Sequence, residues 1–338
     1  MSSPGKKVFI IGAGFIGWNV LDLLVKENYD VTALVRRAEH AEQLKSTGAS
    51  QTVLGDIGDK DLITKHVVNH DIVIHTATAD HLESVEAVLD GVQQRADKGL
   101  PTIYIHTSGA GVLLEGTPGK GVTRKVYHDN VQAEVDSVPD DAPHRPIDLR
   151  ILAAQKRLRG KAKIAIVFPP LIYGFNPRHG RLSIQIPALT RYALKHGFAG
   201  HVGDGDPVWG TIHVLDLARA YGTILHHLEL QEFGSPDLEN PYWFSENTGD
   251  EEVSWWEIAE AIGQGLHAAG LVDAPTPRTM PPETYGDAFG DNTALGLGLN
   301  CRSRAVRLRA LGWKPVEKSW KESFLEDELP VLLKERSG

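Results

Sequence analysis

Cysteine is almost missing from this sequence: 338 residues hold one, Cys301. A single thiol cannot close an internal disulfide or build a multi-cysteine metal site, so a reducing compartment is expected. Long apolar runs are missing too. Met1-Ser2-Ser3-Pro4-Gly5-Lys6-Lys7 passes straight into Val8-Phe9-Ile10-Ile11, with no stretch long enough for a signal peptide or a membrane span. A soluble, cytoplasmic protein is the expectation. Positive charge is in deficit: 35 Lys and Arg stand against 44 Asp and Glu, a formal net charge of −9. Nucleic acid and anionic lipid both require basic surfaces, so neither is an expected partner, although a small anion can still be held locally. The 15 histidines lack metal-ligand spacing, since His226-His227 are adjacent and no His-Glu-x-x-His occurs. No metal is expected.

What is present is an ordinary globular composition, 41% hydrophobic and 23% charged, at a length that suits one large domain or a large domain with a smaller partner. Short β-branched runs at residues 8–11, 31–35, 72–75, 102–106 and 164–168 alternate with amphipathic segments. This alternation predicts βαβ units and an α/β fold with a parallel sheet covered on both faces. Val20, Leu21 and Leu24 follow Gly17 at helical spacing. Residues 109–146 read mostly as loop, with a short helix around 130–135. Ser254 and Glu257 open a later helix, placed in a smaller second domain.

Directly after the first strand stands Gly12-Ala13-Gly14-Phe15-Ile16-Gly17, a G-x-G-x-x-G that opens a helix. The first glycine suits a tight turn, the second a close backbone approach to a pyrophosphate, and the third close helix–strand packing. Amides at the helix N-terminus then face the phosphates. At the end of the second strand, where an NAD site usually carries a carboxylate, stand Arg36 and Arg37. Guanidinium groups pair with a 2′-phosphate, so NADP(H) is the expected cofactor; two solvated arginines are the alternative. Asp56 and Ile57 are placed near the adenine, and Thr76-Ala77-Thr78 ends a strand beside the cofactor cleft.

Further motifs follow in order: Pro169-Pro170-Leu171-Ile172-Tyr173-Gly174, Gly203-Asp204-Gly205, Ile212-His213-Val214, Ser303-Arg304-Ala305 and Leu311-Gly312-Trp313-Lys314-Pro315. With them the chain resembles, along nearly its whole length, the extended short-chain dehydrogenase/reductases, the NAD-dependent epimerase/dehydratase group. The resemblance implies a doubly wound parallel sheet (Rossmann) with a smaller C-terminal substrate domain, and substrate bound between them. Residues 1–175, with 205–235 returning, would form the NADP-binding domain, and residues 176–204 and 236–338 the smaller one. It also implies Pro170 beside the cofactor, a small-molecule substrate, and compatibility with a homodimer.

Catalysis in that family uses a serine or threonine, a tyrosine, and a lysine four residues after the tyrosine, which lowers the pKa of the tyrosine. Ser108, after the fifth strand, is the candidate serine, with a strand-end cap as its alternative. No Tyr-x-x-x-Lys occurs: Tyr127 has Val131 at that offset. Counting back from Phe168-Pro169 places a helix over 146–157 and the missing pair near His144 and Asp148. Two candidates therefore compete for the acid/base role. His144 could act with Asp148 one turn on, or Tyr127 could enter the cleft; the alternative is that His144 and Asp148 simply begin a helix. Trp209 replaces the arginine that nucleotide-sugar members carry before Ile-His-Val. Trp209, Tyr173 and Trp243 would then favour a flatter substrate, or pack in the core. The expected function is an NADP(H)-dependent oxidoreductase acting on a carbonyl, alcohol or imine of a small organic molecule. The alternatives are a catalytically degenerate dinucleotide-binding regulator, and an epimerase or dehydratase that recycles its cofactor.

Overall fold

The computed structural model describes residues 5–249 and 251–337. Seven strands form one sheet: β1 (Lys7–Ile11), β2 (Asp30–Val35), β3 (Gln51–Leu54), β4 (Ile72–His75), β5 (Thr102–Thr107), β6 (Ala162–Phe168) and β7 (Tyr242–Phe244). Their order is β7-β6-β5-β4-β1-β2-β3, and every pairing is parallel. Helices α1 (Phe15–Lys26), α2 (Ala38–Ser46), α3 (Lys60–Val68), α4 (Leu82–Asp97), α5 (Arg145–Arg157) and α6 (Val214–Leu230) flank it. The apolar runs of β1, β4, β5 and β6 have no polar alternation because helices cover both sheet faces, leaving these strands no solvent side.

Strand order reverses between β1 and β4, whose C-terminal ends are in register at Ile11 and His75, and His75 is in register with His106 of β5. Chain leaving β1 goes to one side of this point and chain leaving β4 to the other, so their exits diverge into a crevice. The candidate site is assembled at this end of the sheet, from the chain leaving β1 to β5 and from the start of α5.

The edge strand β7 comes from the stretch that the sequence reading gave to the smaller domain. Three residues are too few to show a period, yet Tyr242, Trp243 and Phe244 are buried against β6. Beyond the main sheet lie the parallel pair Leu171–Tyr173 and Thr211–His213, the helix Gln185–His196, and the helix Trp255–Ala268, whose Ser254–Glu257 capping box is formed on both sides. Gln132–Asp136 is the short helix of the long irregular connection, and Tyr127–His128 pairs with Ser303–Arg304.

The three aromatics weighed as a flat substrate surface are packing groups. Trp209 donates from Nε1 to the Leu299 carbonyl at 2.7 Å and stands edge-on to Trp255. Tyr173 donates to the Lys318 carbonyl, and Trp243 lies under the Arg307 guanidinium. All three are buried. Among the described residues, no helix is long and apolar enough to cross a membrane, and no cluster of three metal-ligating side chains occurs.

Candidate dinucleotide and acid–base site

At the end of β1 the chain turns at Gly12 with φ +92°, and a Cβ there would lie 2.4 Å from the Ala77 Cα. Gly17 is equally hemmed in: its Cβ would meet the Gly12 carbonyl oxygen at 2.3 Å and Thr76 Oγ1 at 2.4 Å. Thr76 Oγ1 donates to that same carbonyl at 2.8 Å, tying the end of β4 to the turn. At Gly14, by contrast, nothing lies within 4 Å of the Cβ position, and the residue opens onto a cleft of about 330 Å³. Gly14 caps α1 without a side-chain bond, and the first turn, which includes Phe15 and Ile16, carries no acidic residue. Its leading amides are free to meet an anion, and the helix dipole favours one. Two glycines closed by protein and one left open fit a pyrophosphate passing over the middle one.

Gly12, Gly14, Thr76, Ala77 and Thr78 line this cleft together with Arg36, Arg37 and Ile57. Asp56 is exposed, accepts a bond from the Gly58 amide at 3.1 Å, and is not among the lining residues. Pro170 is buried beside Gly210 and does not line the cleft.

The second half of the site begins where β5 ends. The Ser108 amide donates to the Val167 carbonyl at 2.9 Å, which holds the residue in line with the strand. Its Oγ donates to Asp148 Oδ2 at 3.0 Å. Asp148 lies in the first turn of α5, is fully buried, and leaves Oδ1 without a partner. Burial pushes its carboxyl up to about 7, while the Ser108 bond and the nearby His144 and Arg145 pull it down. His144 is the N-cap of α5 and, among the described residues, one of two non-glycine residues with positive φ, +66°. Such a backbone is sparsely populated for a residue with a Cβ and persists where its surroundings impose it. Here Asp80 does so, with Oδ1 at 2.6 Å from His144 Nδ1. A carboxylate partner puts the proton on Nδ1 and leaves Nε2 as the exchanging nitrogen. Asp80 in turn donates from its amide to Thr78 Oγ1 at 3.2 Å, so residues 76–80 belong to both the cleft and the histidine.

Ser108, His144 and Asp148 are thus brought together, and Tyr127 is not joined to them. Tyr127 is buried, donates to Glu115 Oε1 at 2.7 Å and lies under Lys125 Nζ. Burial, followed by the Glu115 bond, pushes its hydroxyl pKa well above the ordinary value. Sequence reasoning missed Asp80, Gly109, Gly111 and Arg181. The two glycines carried a readable signal, standing just past the candidate serine. A Cβ at Gly109 or Gly111 would lie 3.1 or 3.2 Å from His144 Nε2. Gly111→Ala should therefore displace the imidazole by a few tenths of an ångström. We expect a loss in turnover of about ten- to a hundredfold with cofactor affinity kept, checked by steady-state kinetics beside calorimetry.

Comparison with known proteins places this geometry. Residues 12–136 match the family model described as NAD(P)H-binding. The uncharacterized protein C2A9.02 of Schizosaccharomyces pombe is 25% identical over 328 residues, 95% of this chain and 99% of that protein. The UDP-glucose 4-epimerase of Thermotoga maritima, solved with UDP-glucose, superposes with a TM-score of 0.66 at 15% identity, covering 98% of this chain and 99% of that one. Yeast methylglyoxal/isovaleraldehyde reductase Gre2, solved with NADPH, gives 0.59 at 16% identity over 98% and 100%. The matched stretch begins at the glycine turn after β1 and runs through β2 to β5, the part of the sheet that lines the cleft. The fold is similar to that of solved epimerases, dehydratases and reductases.

Proposed function

We propose that the protein is an NADP(H)-dependent oxidoreductase acting on a carbonyl, alcohol or imine of a small organic molecule, with Ser108, His144 and Asp148 handling the proton. One observation carries this reading: the Ser108–Asp148 and His144–Asp80 pairs meet at the end of β5 and connect to the dinucleotide cleft through Thr78. When bound, the dinucleotide supplies or takes up a hydride. Gly12, Gly14 and the first amides of α1 hold the pyrophosphate, and Arg36 and Arg37 meet the 2′-phosphate. Ser108 Oγ hydrogen-bonds the reacting oxygen. Asp148, when protonated, donates back to Ser108 and frees the serine hydrogen for the substrate. His144 Nε2 moves the proton, and Asp80 keeps Nδ1–H in place. Substrate sits between the sheet and the smaller region of residues 176–204 and 236–338, less β7.

Titration calorimetry with NADP and NAD tests the cofactor. We expect NADP to bind more than about tenfold tighter, and the Arg36→Ala/Arg37→Ala double variant to lose that margin, as charge-assisted bonds to phosphate require. Equal wild-type affinities would sink the 2′-phosphate argument. A carbonyl and alcohol panel tests the chemistry: NADPH consumption with some member supports the reading. Tight binding with no turnover on any member would point to a regulator, and isomerised product without net oxidation to an epimerase.

A further inference from the structure

The chain that leaves the strand Leu171–Tyr173 crosses onto α1 and is pinned there. Asn176 Nδ2 donates to Asn19 Oδ1 at 2.7 Å, and His179 Nε2 meets Asp22 Oδ2 at 3.0 Å. The His179 ring stacks on Trp18, with centroids 4.2 Å apart and planes 12° from parallel. Asn19, Asp22 and Trp18 are all buried by this contact and its neighbours. Across the turn, Asn176 and Arg181 form an isolated antiparallel bridge, and Gly180 supplies the positive φ of +63° that closes it. Residues 176–181 are thus a closed turn fastened along one face of α1, and Arg181 is its exit.

From that exit Arg181 reaches the same cleft that Arg36, Arg37 and His40 line. Its guanidinium carbon lies 5.5 Å from the centre of the Trp18 ring, and Nη2 lies 3.2 Å from His40 Nε2. Its Nε is buried and has no partner. Among the described residues, none of Arg36, Arg37 and Arg181 has a carboxylate at ion-pair distance, whereas arginines of the C-terminal region such as Arg302 and Arg309 do. Burial, with Arg37 beside it, lowers the pKa of Arg181, and burial together with Arg181 and Arg37 takes His40 down to about 4. His40 is therefore the neutral acceptor of an Arg181 N–H. Gathering like charges around an orphaned buried donor is unfavourable for folding alone; an anion arriving among them reverses the sign of each term.

We infer that Arg181 completes the 2′-phosphate site of NADP(H), reaching over from the pinned turn to share the phosphate with Arg36 and Arg37. The inference rests on the NADP(H) reading above. It divides cofactor choice between the end of β2 and a turn distant from it in the chain, so a ribose diol without phosphate would leave Arg181 unanswered.

Adenosine 2′,5′-bisphosphate and AMP differ only in the phosphate at issue, and calorimetry with the full chain compares them without any turnover. Wild type is expected to bind the bisphosphate more than about tenfold tighter than AMP, as charge-assisted phosphate contacts give. A ratio near one would overturn the NADP(H) reading and this inference with it. In Arg181→Ala the ratio is expected to fall by about tenfold with AMP affinity held. If wild type discriminates and Arg181→Ala does so equally, the inference fails while Arg36 and Arg37 keep the cofactor reading. Arg181→Gln, which retains bulk over Trp18 without charge, is measured alongside. Where alanine alone loses AMP binding, the glutamine ratio decides by the same two outcomes; loss of AMP binding in both variants marks Arg181 as a structural residue and overturns the proposal.

Discussion

Replacing His144 by glutamine should lower turnover of any accepted carbonyl by about 10²- to 10⁴-fold, the range a positioned acid/base supplies, and leave NADP(H) affinity near wild type. Glutamine keeps a polar group at the N-cap of α5 but cannot exchange a proton. The Asp80 contact at 2.6 Å gives a graded companion test. Asp80→Asn retains the shape but no longer selects the Nδ1–H tautomer. Because the Asp80 carboxylate is 62% exposed, water can replace part of its effect, and a smaller loss of about ten- to a hundredfold is expected. Tyr127→Phe discriminates between the two acid/base candidates. It removes the bond to Glu115, so stability should drop by about 1 kcal/mol while turnover stays close to wild type. Kinetics and melting curves of the three variants check the order. If Tyr127→Phe abolished turnover and His144→Gln did not, the tyrosine would be the proton donor and the histidine a helix cap.

Much of this arrangement was legible in the sequence, and the reasons are local. Gly12, Gly14 and Gly17 act within six residues on backbone geometry, so spacing alone exposed them, as it did the β-branched strands. Ser108 was readable because it follows the end of a strand, and the helix observed over 145–157 because counting back from β6 placed one over 146–157. What stayed hidden depends on distance in the chain. Asp80 meets His144 across 64 residues, and Arg181 meets His40 across 141. Neither residue type nor spacing marks such a pair. The aromatics were hidden for a different reason: Trp209, Tyr173 and Trp243 have the same composition whether they line a cleft or fill a core. Only their hydrogen-bond partners, carbonyls of the C-terminal segment for the first two, decide it. Asp56 is a different case: its Oδ1 accepts from the Gly58 amide, an Asx turn that Asp-x-Gly favours locally, a local role that motif reasoning did not anticipate.

Asp148→Asn should make the protein more stable at alkaline pH and at the same time impair it. In the fold, burial raises this carboxyl from its ordinary 3.8 to about 7. The sign follows from proton binding. A raised folded-state pKa means that the native chain holds the proton more tightly than the unfolded one, so the contribution is complete below about pH 4 and is lost as pH rises through 7. At 1.4 kcal/mol per decade of affinity the whole span is about 4 kcal/mol, which for a chain of this size is on the order of 5 °C in melting temperature. Asparagine copies the protonated acid and carries no charge to bury, so the variant should melt higher than wild type at pH 8 to 9, by less at pH 5, with the gap closing towards pH 4. The difference between the two proteins is the quantity to measure. Glu328, also raised to about 7, and Asp129, raised to about 6, tilt both curves alike. Activity should move in the other direction. Asparagine can still accept from or donate to Ser108 Oγ, which keeps the serine in place, but it can no longer take up and return a proton there. The limb of the wild-type pH–rate profile near 7 should vanish, and with it a part of the rate. A melting difference that stayed constant from pH 5 to 9 would show that Asp148 does not titrate in this window. An unchanged pH–rate profile in a stabilised variant would leave Asp148 as a positioning partner of Ser108 and give the proton to His144 alone.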